Sequence, residues 1–314
     1  MQIVSFGELL IDFVALEMGV TVGEASGFIK APGGAPANVA VAVSRLGYDS
    51  AFMGQVGDDP FGHHLADILK AESVNVDGLI FSAEARTALA FVSNKADGDR
   101  SFMFYRHPSA DMLMTADDVQ TQVIDDSDIF HFGSITMIGE PSKSATLKAV
   151  QHAVDNDKFV SYDPNLRLPL WGSAEDAKVG MLEGFEYANF VKISDEELVF
   201  LTGGTDVAPL WRDRMEMLCV TYGHKGAVIH LSDGTTIAHD GYRVKATDTT
   251  GAGDSFVAGM LTGILAYPND YVEHLPSILD LANGIGALTT LQKGAIPSLP
   301  TMAQVEAFIA ERKA

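Results

Sequence analysis

The sequence is short of basic residues. Its 314 residues carry 21 Lys and Arg against 42 Asp and Glu, a formal net charge of −21 at pH 7. A nucleic-acid surface needs clustered cations to neutralise phosphates, and no dense Lys/Arg run exists, so that class is excluded. The same deficit argues against docking on an anionic membrane. Cysteine is nearly absent. The single Cys219 sits in the apolar run Met217-Leu218-Cys219-Val220. It cannot close an internal disulfide, no Cys/His cluster has metal-ligand spacing, and it reads as a core thiol. Long apolar runs are also missing: the longest uncharged stretch, 255–269, falls short of the roughly 18 residues a membrane span needs. The first residues lack a basic start, and Glu8 and Asp12 interrupt their apolar stretch, unlike a secretion leader; the expected location is cytoplasmic.

What is present is material for a large core. At 47% hydrophobic and 20% charged, the chain is no disordered acidic tail. Apolar runs of strand length (3–6, 51–54, 129–132, 159–162, 190–193, 218–221, 227–231 and 242–246) alternate with amphipathic stretches of helix length (36–46, 61–72, 141–154, 195–201, 254–266, 277–291 and 303–313). Buried strands separated by helices predict an α/β fold, a three-layer, mostly parallel sheet. Two stretches break this rhythm. Residues 12–30 have no helical period, and 87–94 with 100–105 read as a hairpin around Ala96-Asp97-Gly98-Asp99. Together 12–30 and 87–110 predict a small second sheet, a lid inserted in one domain spanning 1–314, since no repeat, low-complexity tract or Pro/Ser-rich linker divides the chain.

The segment with the most chemistry is Asp248-Thr249-Thr250-Gly251-Ala252-Gly253-Asp254. Its glycines let the backbone turn tightly and aim successive N–H groups into one concavity, and the helix that follows adds its positive end. A phosphate is favoured there. A carboxylate beside such an anion hole is electrostatically unwelcome unless it is needed, and a general base for an attacking hydroxyl is such a need. The alternative for Asp254 alone is a helix cap after a glycine turn. A second segment, Ala31-Pro32-Gly33-Gly34-Ala35-Pro36-Ala37-Asn38, brings a Gly-Gly pair and a polar Asn to a helix start. By itself it is a plain loop. A Walker-type Gly-x-x-x-x-Gly-Lys-Ser/Thr run and a Gly-x-Gly-x-x-Gly dinucleotide fingerprint are both missing, which points to another nucleotide-using fold.

Gly33-Gly34 through Asn38, with Gly47, Gly54 and Gly57-Asp58-Asp59-Pro60-Phe61-Gly62, resembles the first signature of the ribokinase-like (PfkB) carbohydrate kinases. Residues 248–254 resemble the second, and the likeness runs from Val4-Ser5-Phe6-Gly7-Glu8 to Gly294-Ala295-Ile296-Pro297-Ser298. Phe102-Met103-Phe104-Tyr105-Arg106, residues 130–135 and Tyr162-Asp163-Pro164-Asn165-Leu166-Arg167 are most similar to the fructokinase branch.

The resemblance implies a ribokinase-like fold with a β-sheet lid, and phosphoryl transfer from ATP to a sugar hydroxyl. It makes Asp254 the general base and the N–H groups of Gly251, Ala252 and Gly253 the anion hole. Asp12, Gly33, Gly34 and Asn38 match sugar-holding positions, with Arg106 and Arg167 as further substrate contacts, although Arg167 can instead pair with Asp163. Thr221, Gly223 and Gly226 match a turn that meets ATP phosphate and ribose, and Asn283 and Gly286 match an adenine wall. Glu197 matches a glutamate serving Mg2+ through water; alternatively it is an exposed first-turn Glu favoured by the helix dipole. Asp248, Thr250, Gly294 and Ser298 resemble a monovalent-cation loop suited to K+. A homodimer is implied as well. Two departures stand out: Ser194 where ribokinases carry Asn, and His107 where many fructokinases carry Asn. The readings that remain are a fructokinase, a 2-keto-3-deoxygluconate kinase, and a sugar-sensing protein of the same fold with little catalysis.

Overall fold

The computed structural model describes residues 2–94 and 100–313; the expected hairpin tip at Ala96-Asp97-Gly98-Asp99 lies outside them. The chain opens with β1 (Gln2–Phe6), β2 (Leu10–Ala15), β3 (Phe28–Gly33) and α1 (Ala35–Arg45). It continues through β4 (Asp49–Gly57), α2 (Pro60–Ala71), β5 (Asn75–Ser82), β6 (Leu89–Asn94) and β7 (Arg100–Tyr105). The short α3 (Thr121–Asp125) precedes an alternating run: β8 (Ile129–Gly133), α4 (Ser142–Asp155), β9 (Phe159–Asp163), α5 (Ala174–Phe185), β10 (Phe190–Ser194), α6 (Asp195–Thr202) and β11 (Met217–Thr221). Then come β12 (Ala227–Leu231), β13 (Thr236–His239), α7 (Ala252–Ala266), α8 (Tyr271–Thr289) and α9 (Met302–Lys313).

Nine strands form one sheet in the order β13-β12-β11-β10-β9-β8-β1-β4-β5. Neighbours from β5 to β11 are parallel, whereas β12 and β13 are antiparallel additions at one edge. The parallel strands are apolar on both faces because both faces are covered. Residues of α1, α2, α7 and α8 pack on one side, and those of α3 to α6 on the other. The second sheet runs β3-β2-β6-β7 and joins the two stretches that broke the helical rhythm. The result is a mixed α/β fold with a large central sheet and a smaller one, as the sequence predicted.

The starts of two helices follow from local chemistry. Asp59 accepts the N–H groups of Phe61 and Gly62, both at 2.9 Å, with Pro60 in the first helical position of α2. Ser194 and Glu197 form a reciprocal capping box on α6.

Three expectations are corrected. Residues 242–246 are not a strand; the edge strand is β13, which ends at His239. Gly241 turns the chain away with φ of 71°. Tyr242 then leaves the sheet to stack edge-on against Phe308 of α9 and donate its hydroxyl to Asp280 at 2.5 Å. The strand β5 escaped notice because Asp77-Gly78 inside it reads as a turn. The helix α5 did too, because Gly180 and Gly184 occupy its buried face, where the rings of Trp171 and Tyr162 fill the space. Among the described residues no helix is long and apolar enough to cross a membrane.

Candidate active site

The site is built at the carboxyl edge of the parallel strands, where α7 begins. Gly251 takes φ of 80° at the N-cap, and no side chain caps the helix. A β-carbon at Gly251 would lie 3.0 Å from that of Ala295, so backbone alone fits this turn. The first-turn N–H groups are thereby left facing the cleft, an arrangement that receives an anion.

Asp254 follows on the same turn, buried. Burial raises its carboxyl to about 6, Asp163 adding to the rise, while the Asn38 hydrogen bond and the charges of Lys192 and Arg167 oppose it. Asn38 Nδ2, from α1, donates to Asp254 Oδ2 at 2.7 Å. Asn38 Oδ1 is buried without a partner among the described residues, so a hydroxyl entering the cleft would satisfy it.

A cleft of about 170 Å3 opens over this pair. Asp12 and Gly34 line it, with Phe102 and Phe104 from the lid, Asn165 and Arg167 after β9, and Thr249 to Gly251 below. Gly33 lies behind Asp12, where a β-carbon would strike its carboxylate at 2.3 Å. Arg167 bonds Asn165 Oδ1 at 2.7 Å and stands 5.9 Å from the Phe102 ring centroid. Asp163 instead takes Lys192 at 2.9 Å, so the alternative pairing of Arg167 is not the one observed. Arg106 does not line the cleft. It is buried behind the wall and grips Asp111 through Nε at 3.0 Å and Nη2 at 2.5 Å.

Lys192 and Glu8 were not singled out in the sequence, and both line the cleft. Glu8 Oε1 accepts Ala35 N–H at 3.0 Å, which ties β1 to the Gly-Gly turn. Burial pushes its carboxyl up to about 7, with the Glu8 and Ala35 backbone N–H groups and Arg106 opposing. For Lys192, burial would lower its pKa, but the carboxylates of Asp163 and Glu197 outweigh it and hold the ammonium charged. The available signal was one lysine in the otherwise apolar strand Phe190-Val191-Lys192-Ile193.

The five positions matched to a nucleotide do not line the cleft. Thr221 pairs with Ser194 at the ends of β11 and β10, and its hydroxyl reaches Ile193 O at 3.3 Å. Gly223 and Gly226 shape the next turn, with φ of 57° and 90°. Asn283 and Gly286 lie on α8, Gly286 close to Ala252 of α7. Glu197 is buried rather than exposed. Its oxygens accept Leu166 N–H at 2.7 Å and Ser194 N–H at 2.8 Å, so it anchors the loop carrying Asn165 and Arg167.

The four positions matched to a cation loop do come together. Asp248 Oδ1 accepts Thr250 N–H and hydroxyl at 3.0 and 2.7 Å, Oδ2 accepts Gly294 N–H at 2.9 Å, and Ser298 Oγ donates to Gly294 O at 2.6 Å. Among the described residues no group of three or more His, Cys, Asp or Glu is placed to hold a metal. A larger hollow, about 620 Å3, lies between residues 238–243 and α9. It shares no lining residue with the cleft, and its carboxylate Asp280 is occupied by His239, Tyr242 and Lys313. The chemistry belongs to the smaller cavity.

Comparison with known proteins agrees with this geometry. The pattern of the pfkB family carbohydrate kinases matches residues 1–302. Probable fructokinase-4 of Arabidopsis thaliana is 50% identical over 315 residues, covering 98% of this chain and 96% of that one. The crystal structure of a fructokinase with bound ATP from Xylella fastidiosa superposes with a TM-score of 0.91 at 34% identity, covering 100% and 99% of the two chains. A fructokinase double mutant from Vibrio cholerae O395, solved with fructose, ADP and potassium ion, gives 0.87 at 34% identity over 98% of each chain. A buried aspartate at an uncapped glycine turn, under a four-stranded lid, thus sits in a chain matched along nearly its whole length: the protein belongs to the pfkB family of carbohydrate kinases.

Proposed function

We propose that this protein is an ATP-dependent fructokinase, which transfers the γ-phosphoryl group of ATP to the 6-hydroxyl of fructose. The observation that carries the reading is Asp254, buried beside the uncapped α7 N-terminus and hydrogen-bonded to an Asn38 whose other polar atom awaits a partner. Fructokinase relatives at about half identity choose the sugar. In this reading Asp254 takes the proton of the attacking hydroxyl, and the backbone of Gly251 to Gly253 receives the phosphoryl charge. Asp12, Gly34, Asn38 and Arg167 orient the sugar, with Gly33 setting the turn. Arg106 acts at one remove, by facing Glu8 across the wall.

ATP lies along the carboxyl edge, its phosphates at α7 and its nucleoside toward Thr221, Gly223, Gly226, Asn283 and Gly286. Mg2+ suits this arrangement because ATP oxygens supply most of its ligands and one carboxylate suffices. Each Glu197 oxygen accepts one N–H and keeps a lone pair for a metal-bound water. The ion would neutralise charge on the phosphates. K+ would sit at Asp248, Thr250, Gly294 and Ser298, under the anion hole. The chain acts as one kinase unit, with 12–30 and 87–110 as its lid, and it pairs as a homodimer through that lid.

A coupled ADP-release assay over fructose, 2-keto-3-deoxygluconate, ribose, glucose and adenosine tests the assignment. Fructose is expected to give the highest kcat/KM, and preference for another sugar rejects it. Turnover with Mg2+ is expected to exceed turnover in chelator, and turnover in potassium to exceed that in a large organic cation. Equal rates reject the corresponding ion.

A further inference from the structure

We propose that Lys192 is a catalytic residue of this site, whose ammonium touches the phosphoryl group as it passes from ATP to the sugar. The inference rests on the kinase reading above and adds a group to it.

The argument begins with where the lysine stands. Along β10, Phe190 and Lys192 point to the same face because strand side chains alternate. Phe190 belongs to the core shared with α1, α7 and α8, so the lysine extends from the sheet toward the start of α7. Nζ donates to Asp163 Oδ2 at 2.9 Å, with the two side chains 9% and 6% exposed. A β-carbon built on Gly253 would lie 3.1 Å from Nζ, which sets the ammonium against the second residue of the anion hole. The side chain also lines the cleft. An ammonium has three donors, and Asp163 accepts from one.

The surrounding charges make this placement unusual for a structural ion pair. Asp163, Glu197 and Asp254 face Lys192 from β9, α6 and α7, and Arg167 stands across the cleft. His131 and Cys219, on β8 and β11, carry no charge: burial holds the imidazole down to about 3 and the thiol up to about 12. Both Glu197 oxygens are engaged by backbone N–H groups. A strand core tolerates a lone ammonium poorly, and an apolar pair of similar volume is often as stable. What an apolar pair cannot do is meet an incoming phosphate.

In the transfer, the sugar oxygen bonds to the γ-phosphorus and its proton passes to Asp254. The bond from that phosphorus to the β,γ-bridging oxygen breaks, its electron pair leaving on ADP. Charge spreads over the equatorial oxygens. Lys192 donates a hydrogen bond to one of them and keeps its proton.

The test uses the double variant Lys192→Met/Asp163→Asn, which removes both charges and strands neither. Its fructose Kd by calorimetry is expected within about threefold of wild type, while kcat falls by about 10²–10³. Without sugar, its affinity for a Mg-bound non-hydrolysable ATP analogue falls about tenfold and that for Mg-ADP does not change. If the double variant does not fold, the Nζ resonance of Lys192 in ζ-labelled wild-type protein decides. It is expected to move on adding the ATP analogue and to stay when ADP is added. A kcat within threefold of wild type, equal loss of both nucleotides, or an identical resonance response to both overturns the proposal. A wild-type protein that ignores fructose rejects the fructokinase reading alone, because the nucleotide measurements need no sugar.

Discussion

Asp254 and Glu8 are carboxyl groups that burial makes reluctant to ionise, and each carries a testable consequence. Asp254 must be ionised to accept a proton, and its carboxyl titrates at about 6. The rate with saturating substrates is therefore expected to rise with pH through that value, as a pH profile of kcat/KM would show. Asp254→Asn is expected to lower kcat by about 10²–10⁴ and to leave fructose binding within threefold. Unchanged turnover in the variant would remove the base role. Glu8 has a folded-state value of about 7 against an ordinary 4.5. The folded chain thus binds this proton more tightly than the unfolded one. Its stabilising contribution is complete below pH 4.5 and is lost as pH rises through 7, by about 3 kcal/mol. Glu8→Gln keeps an acceptor for Ala35 N–H without the charge. Its Tm is expected to fall less than that of wild type between pH 5 and pH 8, and parallel curves would contradict this account.

At the scale of elements, the site depends on turns that only backbone can occupy. The turn after β11 is one. Gly226 lies at φ of 90°, and a β-carbon there would stand 1.8 Å from His239 O. Gly226→Ala must therefore strain its own backbone and push away the loop after β13. A loss of about 2–4 kcal/mol is expected in thermal unfolding, together with a raised KM for ATP and an unchanged sugar Kd. A variant with wild-type KM for ATP would show that the turn does not serve the nucleotide. The elements most legible in the sequence were those with a pure signal, such as β8 and β11, apolar throughout because both faces are covered. Those missed had mixed signals: α5 buries glycines against rings, and β5 contains Asp77-Gly78. Of the site, the glycine turn and Asp254 were legible because special backbone and a carboxylate coincide within seven residues. Lys192 was not, because a strand lysine gives no sign of what its end will meet.

For the whole molecule, the charge of −21 raises the question of how an anionic nucleotide approaches. The fold's answer is local. Lys192, Arg167 and the start of α7 gather at one cleft, while much of the acidic excess is on the exposed surface. The lid raises a second question at this scale. Its outer strands β3 and β7 are sheet edges, and Ile29, Met103 and Tyr105 on them are exposed, as are Leu16 and Met18 beyond β2. Edges with apolar side chains invite pairing. Sedimentation is expected to give a dimer, and Ile29→Lys with Tyr105→Lys is expected to give a monomer with Asp254 chemistry intact. A wild-type monomer at micromolar concentration would reject the lid as an interface.

By itself the sequence determined the layered α/β class, the lid segments and the anion-binding turn. These follow from periodicity and backbone chemistry, which act over a few residues. Only the tertiary structure decided that Asn38 meets Asp254 across 216 positions. It also decided that Asp163 takes Lys192 rather than Arg167, that Arg106 stands behind the wall, and that Glu197 is buried. The physical reason is that hydrogen bonds and ion pairs select partners by distance in space. Strand order brings β9, β10 and the start of α7 together, and nothing in local sequence ranks one nearby carboxylate above another.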